Sequence, residues 1–130
     1  MNEVYSFLKE CGAYYLATVE DGQPRVRPFG SIDIFDGKLL FLDGKTKDVS
    51  KQLHKEPRAE ICAFNGTTWL RICFRAVEFD NTDAQSHMLE AYPNLKAMYA
   101  PGDGNIELFA ITEATATFAS FTAAPRSISF

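Results

Sequence analysis

Apolar residues at Val4, Phe7, Leu8 and Cys11 recur at the i, i+3, i+4, i+7 spacing of one helix face, and Gly12 supplies a left-handed stop. The chain therefore opens with a short amphipathic helix over residues 3 to 11. From Tyr14 the period becomes two: Tyr15, Ala17 and Val19 alternate with Tyr14, Leu16 and Thr18, Asp21-Gly22 makes a tight turn, and Arg25 to Ile34 continues extended. Pro24 and Pro28 cannot donate to a ladder, which puts this strand at an edge or breaks it. A second turn, Asp36-Gly37, leads into the continuous apolar run Lys38 to Leu42. Thr46 is placed to cap a second helix over residues 47 to 55, with Val49 and Leu53 facing inward and Pro57 ending it.

Alternation returns from Arg58 to Phe64, and Asn65-Gly66 joins that strand to a long one from Thr67 to Phe79. Thr82 and Gln85 have capping-box spacing, opening a third helix whose stripe of Met88, Leu89 and Tyr92 continues beyond Pro93 through Leu95, Met98 and Tyr99. Glu107 to Phe130 reads as two strands and a short tail. Strands joined mostly as hairpins, with helices between them, predict a mainly β (α+β) fold: an antiparallel split β-barrel of six to seven strands with about three short helices. At 130 residues, with 46% apolar and eleven Phe, the chain has the size and core of a single domain, residues 1–130.

Charge changes the picture. Residues 25 to 58 carry eight Lys/Arg against five Asp/Glu, a local balance of +3 in a chain whose total is −4. A basic segment in an acidic molecule reads either as a solvated face or as the site of a bound anion, and its compactness suits a phosphorylated cofactor better than a polyanion. The acidic total argues against nucleic acid as a partner. No apolar run is long enough to cross a membrane, and the first residues carry no signal-sequence pattern, so no membrane association is expected and the default location is cytoplasmic. Cys11, Cys62 and Cys73 are odd in number, lie in apolar periodic segments and read as small buried hydrophobes. Neither His54 nor His87 stands near a cysteine at ligand spacing, so no metal site is expected.

The basic segment also gives the chemistry a place. Arg27 offers a bidentate fork, and Lys45, Lys47 and Lys51 offer point charges around a helix N-terminus, whose free amides favour anions. Gly30 permits close approach to the backbone, and Trp69 reads either as a packed core residue or as an aromatic wall for a flat ring. No Ser-His-Asp, Cys-His or paired-carboxylate arrangement stands out. Tyr14, Tyr15 and Tyr92 read as structural aromatics before they read as acids, and the catalytic residue is left unassigned.

Three pieces in order, Asp21-Gly22-Gln23-Pro24-Arg25-Val26-Arg27-Pro28, Gly37-Lys38-Leu39-Leu40-Phe41-Leu42 and Lys47 through Arg58, resemble the pyridoxamine 5′-phosphate oxidase-like flavoproteins, the FMN-binding split barrels. The resemblance implies FMN as cofactor and a homodimer with flavin grooves at the interface. Carried over by position, it implies Arg27 and Lys47 at the phosphate, Pro28, Phe29 and Gly30 along the ring, and Leu42 and Asp43 beside the ribityl chain. It also implies Trp69, with Arg71 on the same strand face, where the second subunit meets the flavin. The tail Ala124 to Phe130 departs from the Arg- and Trp-containing strand that holds substrate in the vitamin B6 oxidases, so that reaction is not expected. The short form is more similar to the nitroimidazole-resistance reductases and small flavin reductases. The implied activity is that of an FMN-dependent oxidoreductase, with a small-molecule electron acceptor and NAD(P)H as a possible donor. The alternative is a non-catalytic carrier of FMN, or a binder of a deazaflavin or haem.

Overall fold

The computed structural model describes residues 1–130. The helices are α1 (Asn2–Cys11), α2 (Asp48–Lys55) and α3 (Thr82–Ala91), the last followed by a 3-10 turn, Pro93–Ala97. The strands are β1 (Tyr14–Glu20), β2 (Gln23–Phe29), β3 (Asp33–Phe35), β4 (Lys38–Gly44), β5 (Arg58–Phe64), β6 (Thr68–Glu78), β7 (Ile106–Ser120) and β8 (Arg126–Ser129). All pair antiparallel in one open, barrel-like sheet of order β2-β1-β5-β6-β7-β4-β3, with β8 added to β7. The mainly β antiparallel class stands. The strand count reaches eight because the run expected over Arg25 to Ile34 breaks after Phe29 and resumes as β3, and because the tail pairs as β8. None of the helices is long and apolar enough to cross a membrane.

Local chemistry explains most boundaries. Gly12 ends α1 at φ 77°, with its N–H donated to the Leu8 carbonyl. The prolines put β2 on the sheet edge, as expected. Two caps differ from expectation. Thr46 does not cap α2: Lys47 is the N-cap residue, without a side-chain bond. Asn81, not Thr82, caps α3, its Oδ1 accepting the Ala84 N–H at 2.9 Å. An Asn one position upstream closes the same ring that Thr82 was expected to close.

The last third also differs: one long strand, β7, stands where two were expected. Glu113 takes φ 46°, and the β6–β7 register shifts between Cys73 and Arg75. This bulge bends β7 without ending it. Its first half therefore pairs β4 and its second half β8, while β6 runs along the other side of both.

Two apolar clusters result. A cluster of 20 buried residues, including Leu8, Tyr14, Phe41, Leu53, Leu70 and Phe109, fills the barrel. A second, of nine, packs α3 and Tyr99 onto Leu40, Leu42, Leu108 and Ala110. Strand β4 supplies both, since alternate side chains leave opposite faces; that is why its run is apolar without alternation. The cysteines do not follow expectation. Cys62 and Cys73 are exposed and Cys11 is partly so, because the register puts Cys62, Arg71 and Cys73 on the outer face of the sheet.

Candidate functional site

A cavity of about 490 Å³ opens where β2, the loop after it, the end of β4, the start of α2 and the α3 to Tyr99 segment meet. Its wall includes Arg27, Pro28, Phe29, Gly30, Leu42, Asp43 and Lys47, and it also includes Ser31, Val49, Tyr92, Asn94, Leu95, Met98 and Tyr99. A second groove along Glu20, Arg25, Val26 and Gln52 shares Arg27, Lys47 and Val49 with it, so the two depressions join at the α2 N-terminus.

The joint is cationic. Arg27 is held in place by three acceptors: Nη1 donates to the Leu16 carbonyl at 3.1 Å and to Thr18 Oγ1 at 2.8 Å, and Nη2 donates to Gln52 Oε1 at 2.7 Å. Thr18 also donates to Gln52 Oε1. β1 and α2 thus set the guanidinium of a β2 residue. Burial is the main influence lowering the Arg27 pKa, with Asp43 opposing it, and the group stays a cation. The first amides of α2 have no intrahelical acceptors and face the same region as Lys47.

Asp43 sits between the cationic joint and the aromatic wall. Its carboxyl is pushed up to about 6, first by burial, against the opposing hydrogen bond from the Gly44 N–H; Glu107 adds to the rise, and Lys47 and Arg27 oppose it. Its Oδ2 is buried without a hydrogen-bond partner. Beyond it lies the aromatic end. Tyr92 Oη accepts the Ile32 N–H and donates to the Ile32 carbonyl, both at 3.1 Å, and Lys9 Nζ donates to the same oxygen. Tyr14 Oη donates to the Ser31 carbonyl at 2.7 Å, and Ser31 Oγ accepts the Leu42 N–H at 3.0 Å. The loop after β2 is thereby fixed at several points. Tyr99 packs against Gly44, where an added Cβ would stand 2.8 Å from the Tyr99 oxygen; only glycine leaves that ring its place. Burial is also the main influence raising the Tyr99 pKa, followed by Asp43.

Seven of the eleven residues expected at the site line this cavity together: Arg27, Pro28, Phe29, Gly30, Leu42, Asp43 and Lys47. Lys45 and Lys51 are exposed and outside its wall. Trp69 and Arg71 are on the outer face of β6, where Trp69 packs on Phe121 at 5.1 Å between ring centroids. Gly30 has room for a side chain, since an added Cβ meets nothing nearer than the Gly12 oxygen at 3.7 Å. Of the three tyrosines, Tyr14 is fully buried, Tyr15 is exposed and Tyr92 alone lines the cavity. Ser31, Asn94, Leu95, Met98 and Tyr99 were not anticipated. The stripe through Leu95, Met98 and Tyr99 was visible, but it read as helix core.

The donor set and walls suit a phosphorylated flat ring. Two cations and free helix amides meet at one end, apolar and aromatic side chains line the other, and the volume falls within the ~300–1,000 Å³ usual for cofactor pockets.

The fold is that of a split barrel with a cavity of cofactor size, and the sequence places it within a family. The family model for pyridoxamine 5′-phosphate oxidase matches residues 1–122, and the chain belongs to that family. Among curated proteins it finds no match. Among solved structures, a NimC/NimA family protein from Clostridium acetobutylicum is 37% identical, with TM-score 0.92 over 98% of this chain and 93% of the other. A pyridoxamine 5′-phosphate oxidase-related, FMN-binding protein from Nostoc punctiforme shares the fold at 14% identity and TM-score 0.60, over 99% and 95% of the two chains. A haem-binding protein from Mycobacterium smegmatis shares it at 13% identity and TM-score 0.72, over 98% of this chain and 56% of the other.

Proposed function

We propose that the protein is an FMN-dependent oxidoreductase acting as a homodimer on flat, electron-poor small molecules, with NAD(P)H as reductant. The observation that carries this reading is the single cavity in which Arg27 and Lys47 meet the α2 N-terminus at one end and Phe29, Leu42, Leu95, Met98 and Tyr99 form an apolar wall at the other. Family membership and the FMN-binding Nostoc relative support the choice of FMN.

Bound FMN supplies the hydride and electron transfer, and the protein supplies placement. Arg27, preset by Thr18, Gln52 and Leu16, holds the phosphate together with Lys47. The pinned Phe29 to Ser31 loop backs the ring, and Tyr92 fixes that loop through Ile32.

The homodimer rests on the outer sheet face. Tyr15, Phe64 and Trp69 share that face through their cross-strand pairs, and Tyr15 and Phe64 are 53% and 58% exposed. An apolar patch of this kind calls for a partner, and a second copy of the chain would bring Trp69 and Arg71 to the open side of the flavin.

The test starts with the visible spectrum of the purified protein and its titration with FMN and riboflavin. FMN-loaded protein is then mixed anaerobically with NADH or NADPH, followed by a nitroaromatic or a quinone. Flavin bands that bleach and then recover support the reading. A flavin that no nicotinamide reduces, and that passes no electrons when reduced chemically, makes the protein a cofactor carrier. A Soret band in place of flavin bands assigns it to haem.

A further inference from the structure

Beside the cofactor cavity, where Glu107 pairs across from Asp43, three side chains from three elements converge: His54 of α2, Glu78 at the end of β6 and Glu107 near the start of β7. The register puts them on one face, since Glu78 pairs with Phe109, two residues from Glu107, and the His54 ring packs on Phe109 at 5.4 Å. His54 Nε2 is 2.9 Å from Glu107 Oε2 and 3.4 Å from Glu78 Oε1, and the three donor atoms lie within 4.8 Å of one another.

We propose that this cluster is a binding site for a divalent transition ion of the zinc type, clipping α2 to the β6–β7 ladder. The first argument is a shortage of hydrogens. Nε2 carries at most one proton, directed along one line, so it can serve Glu107 or Glu78 and not both. An ion between them serves all three atoms. The second is burial. Glu107 is 2% exposed, makes no ion pair with a Lys or Arg, and has only Ser50 and His54 as side-chain polar partners. A carboxylate withdrawn from water needs a compensating charge, which a bound cation supplies.

The third argument is spacing. Donor atoms bound about 2.0–2.2 Å from one ion stand about 2.9–3.5 Å apart, which the two His54 distances already match. Ser50 Oγ donates to Glu107 Oε1 at 2.5 Å, fixing the carboxylate so that Oε2 faces His54, the role an outer-shell group plays at metal sites. The Glu78 side chain is 31% exposed and can swing to close the third edge, and the solvent side leaves room for water as a further ligand. One imidazole with two carboxylates selects zinc, manganese or cobalt over magnesium and calcium, which prefer oxygen alone. No sequence spacing signals this site, because its ligands lie 24 and 29 residues apart along the chain (54, 78, 107).

Chelator-stripped full-length protein titrated calorimetrically with Zn²⁺ should bind one ion per chain at this site. Both His54→Ala and Glu78→Gln, which change exposed side chains, should lower affinity beyond the about 10–100-fold that loss of an outer-shell partner produces. Zn²⁺ should raise the Tm of the parent and leave both variants unmoved. Co²⁺ should give ligand-field bands without the charge-transfer band of a thiolate, which excludes Cys62 and Cys73, and His54→Ala should abolish them. Circular dichroism of the metal-free variants should match the parent. The proposal is overturned if Zn²⁺ binding is not saturable, if neither substitution weakens it, or if Ca²⁺ binds as tightly as Zn²⁺.

Discussion

The two ends of the cavity are built by opposite means. At the cationic end, one long side chain from an edge strand is held by atoms of β1 and α2, and each hydrogen bond to Arg27 crosses between elements. At the aromatic end, Phe29 and Leu42 are covered by a single stretch, Tyr92 to Tyr99, laid over the β4–β7 face by the second apolar cluster and joined to the barrel through Tyr92 and Ile32. The first end is a fixed fork; the second is a packed flap with few polar ties. Such a pairing suits a site where one group of the ligand is invariant and the other side must receive a second molecule.

Asp43, between the two ends, gives the largest expected effect. Its folded-state carboxyl titrates at about 6, while an unfolded Asp titrates near ~3.9. Folding therefore takes up a proton between those values. The stability contributed by the protonated form is complete below about pH 4 and is lost as the pH rises through about 6. At pH 7.5 the ionised group costs on the order of 2–3 kcal/mol, so Asp43→Asn should stabilise the cofactor-free protein by about that much there and by almost nothing at about pH 4. Urea unfolding at both pH values checks this. An equal gain at both would show that the carboxylate charge is not the cause.

Arg27→Ala should weaken FMN by about ten- to a hundredfold, matching the ~1.5–3 kcal/mol of a charge-assisted hydrogen bond, and leave riboflavin affinity nearly unchanged. Arg27→Lys keeps the charge and loses the fork, and it should fall between the two. Equal losses for FMN and riboflavin would mean that the fork holds the fold and not the phosphate.

At the other end, Tyr92→Phe leaves both Ile32 backbone groups without their partner. It should cost about 1–2 kcal/mol in a thermal or denaturant melt, while the preference for FMN over riboflavin stays as it was. A change in that preference would show that the two ends are not independent. The smallest effects belong to Lys45→Ala and Lys51→Ala. Both side chains lie outside the cavity wall, and each should shift FMN affinity by no more than ~0.5 kcal/mol, with the residue screened away by salt.

How far the sequence spoke for each end follows from what it can encode. Charge and proline leave local marks, so the β2 edge strand, Arg27 and Lys47 were legible, whereas Pro28 and Phe29 at the cavity wall followed from the family resemblance alone. Also legible were the stripe of α1, the Gly12 stop and the continuous apolar run of β4, though not that it feeds two clusters. The flap was not. Leu95, Met98 and Tyr99 follow a helical period whether they face a core or a cavity, and only the tertiary approach of Gly44 to Tyr99 decides which. The bend of β7 was hidden for a similar reason: Glu113 adopts a positive φ that its residue type does not announce. The exposure of Cys62 and Cys73 follows from a register fixed by the opposite, apolar set of β5 and β6, Ile61, Ala63, Leu70 and Ile72.

The prolines of β2 have an effect beyond the cavity. Neither Pro24 nor Pro28 has a hydrogen to give β1, so the ladder donors of this strand come from the alternate set, and the row at 24, 26 and 28 points away from the sheet. Of those three positions only Val26 carries an amide hydrogen, and it is the exposed apolar residue of the edge, at 68%. A foreign strand that docked there would find two of three donors missing. The same strand that leads the chain into the cavity thus withholds most of the donors that edge-to-edge pairing needs, on a sheet otherwise rich in aromatic and β-branched side chains.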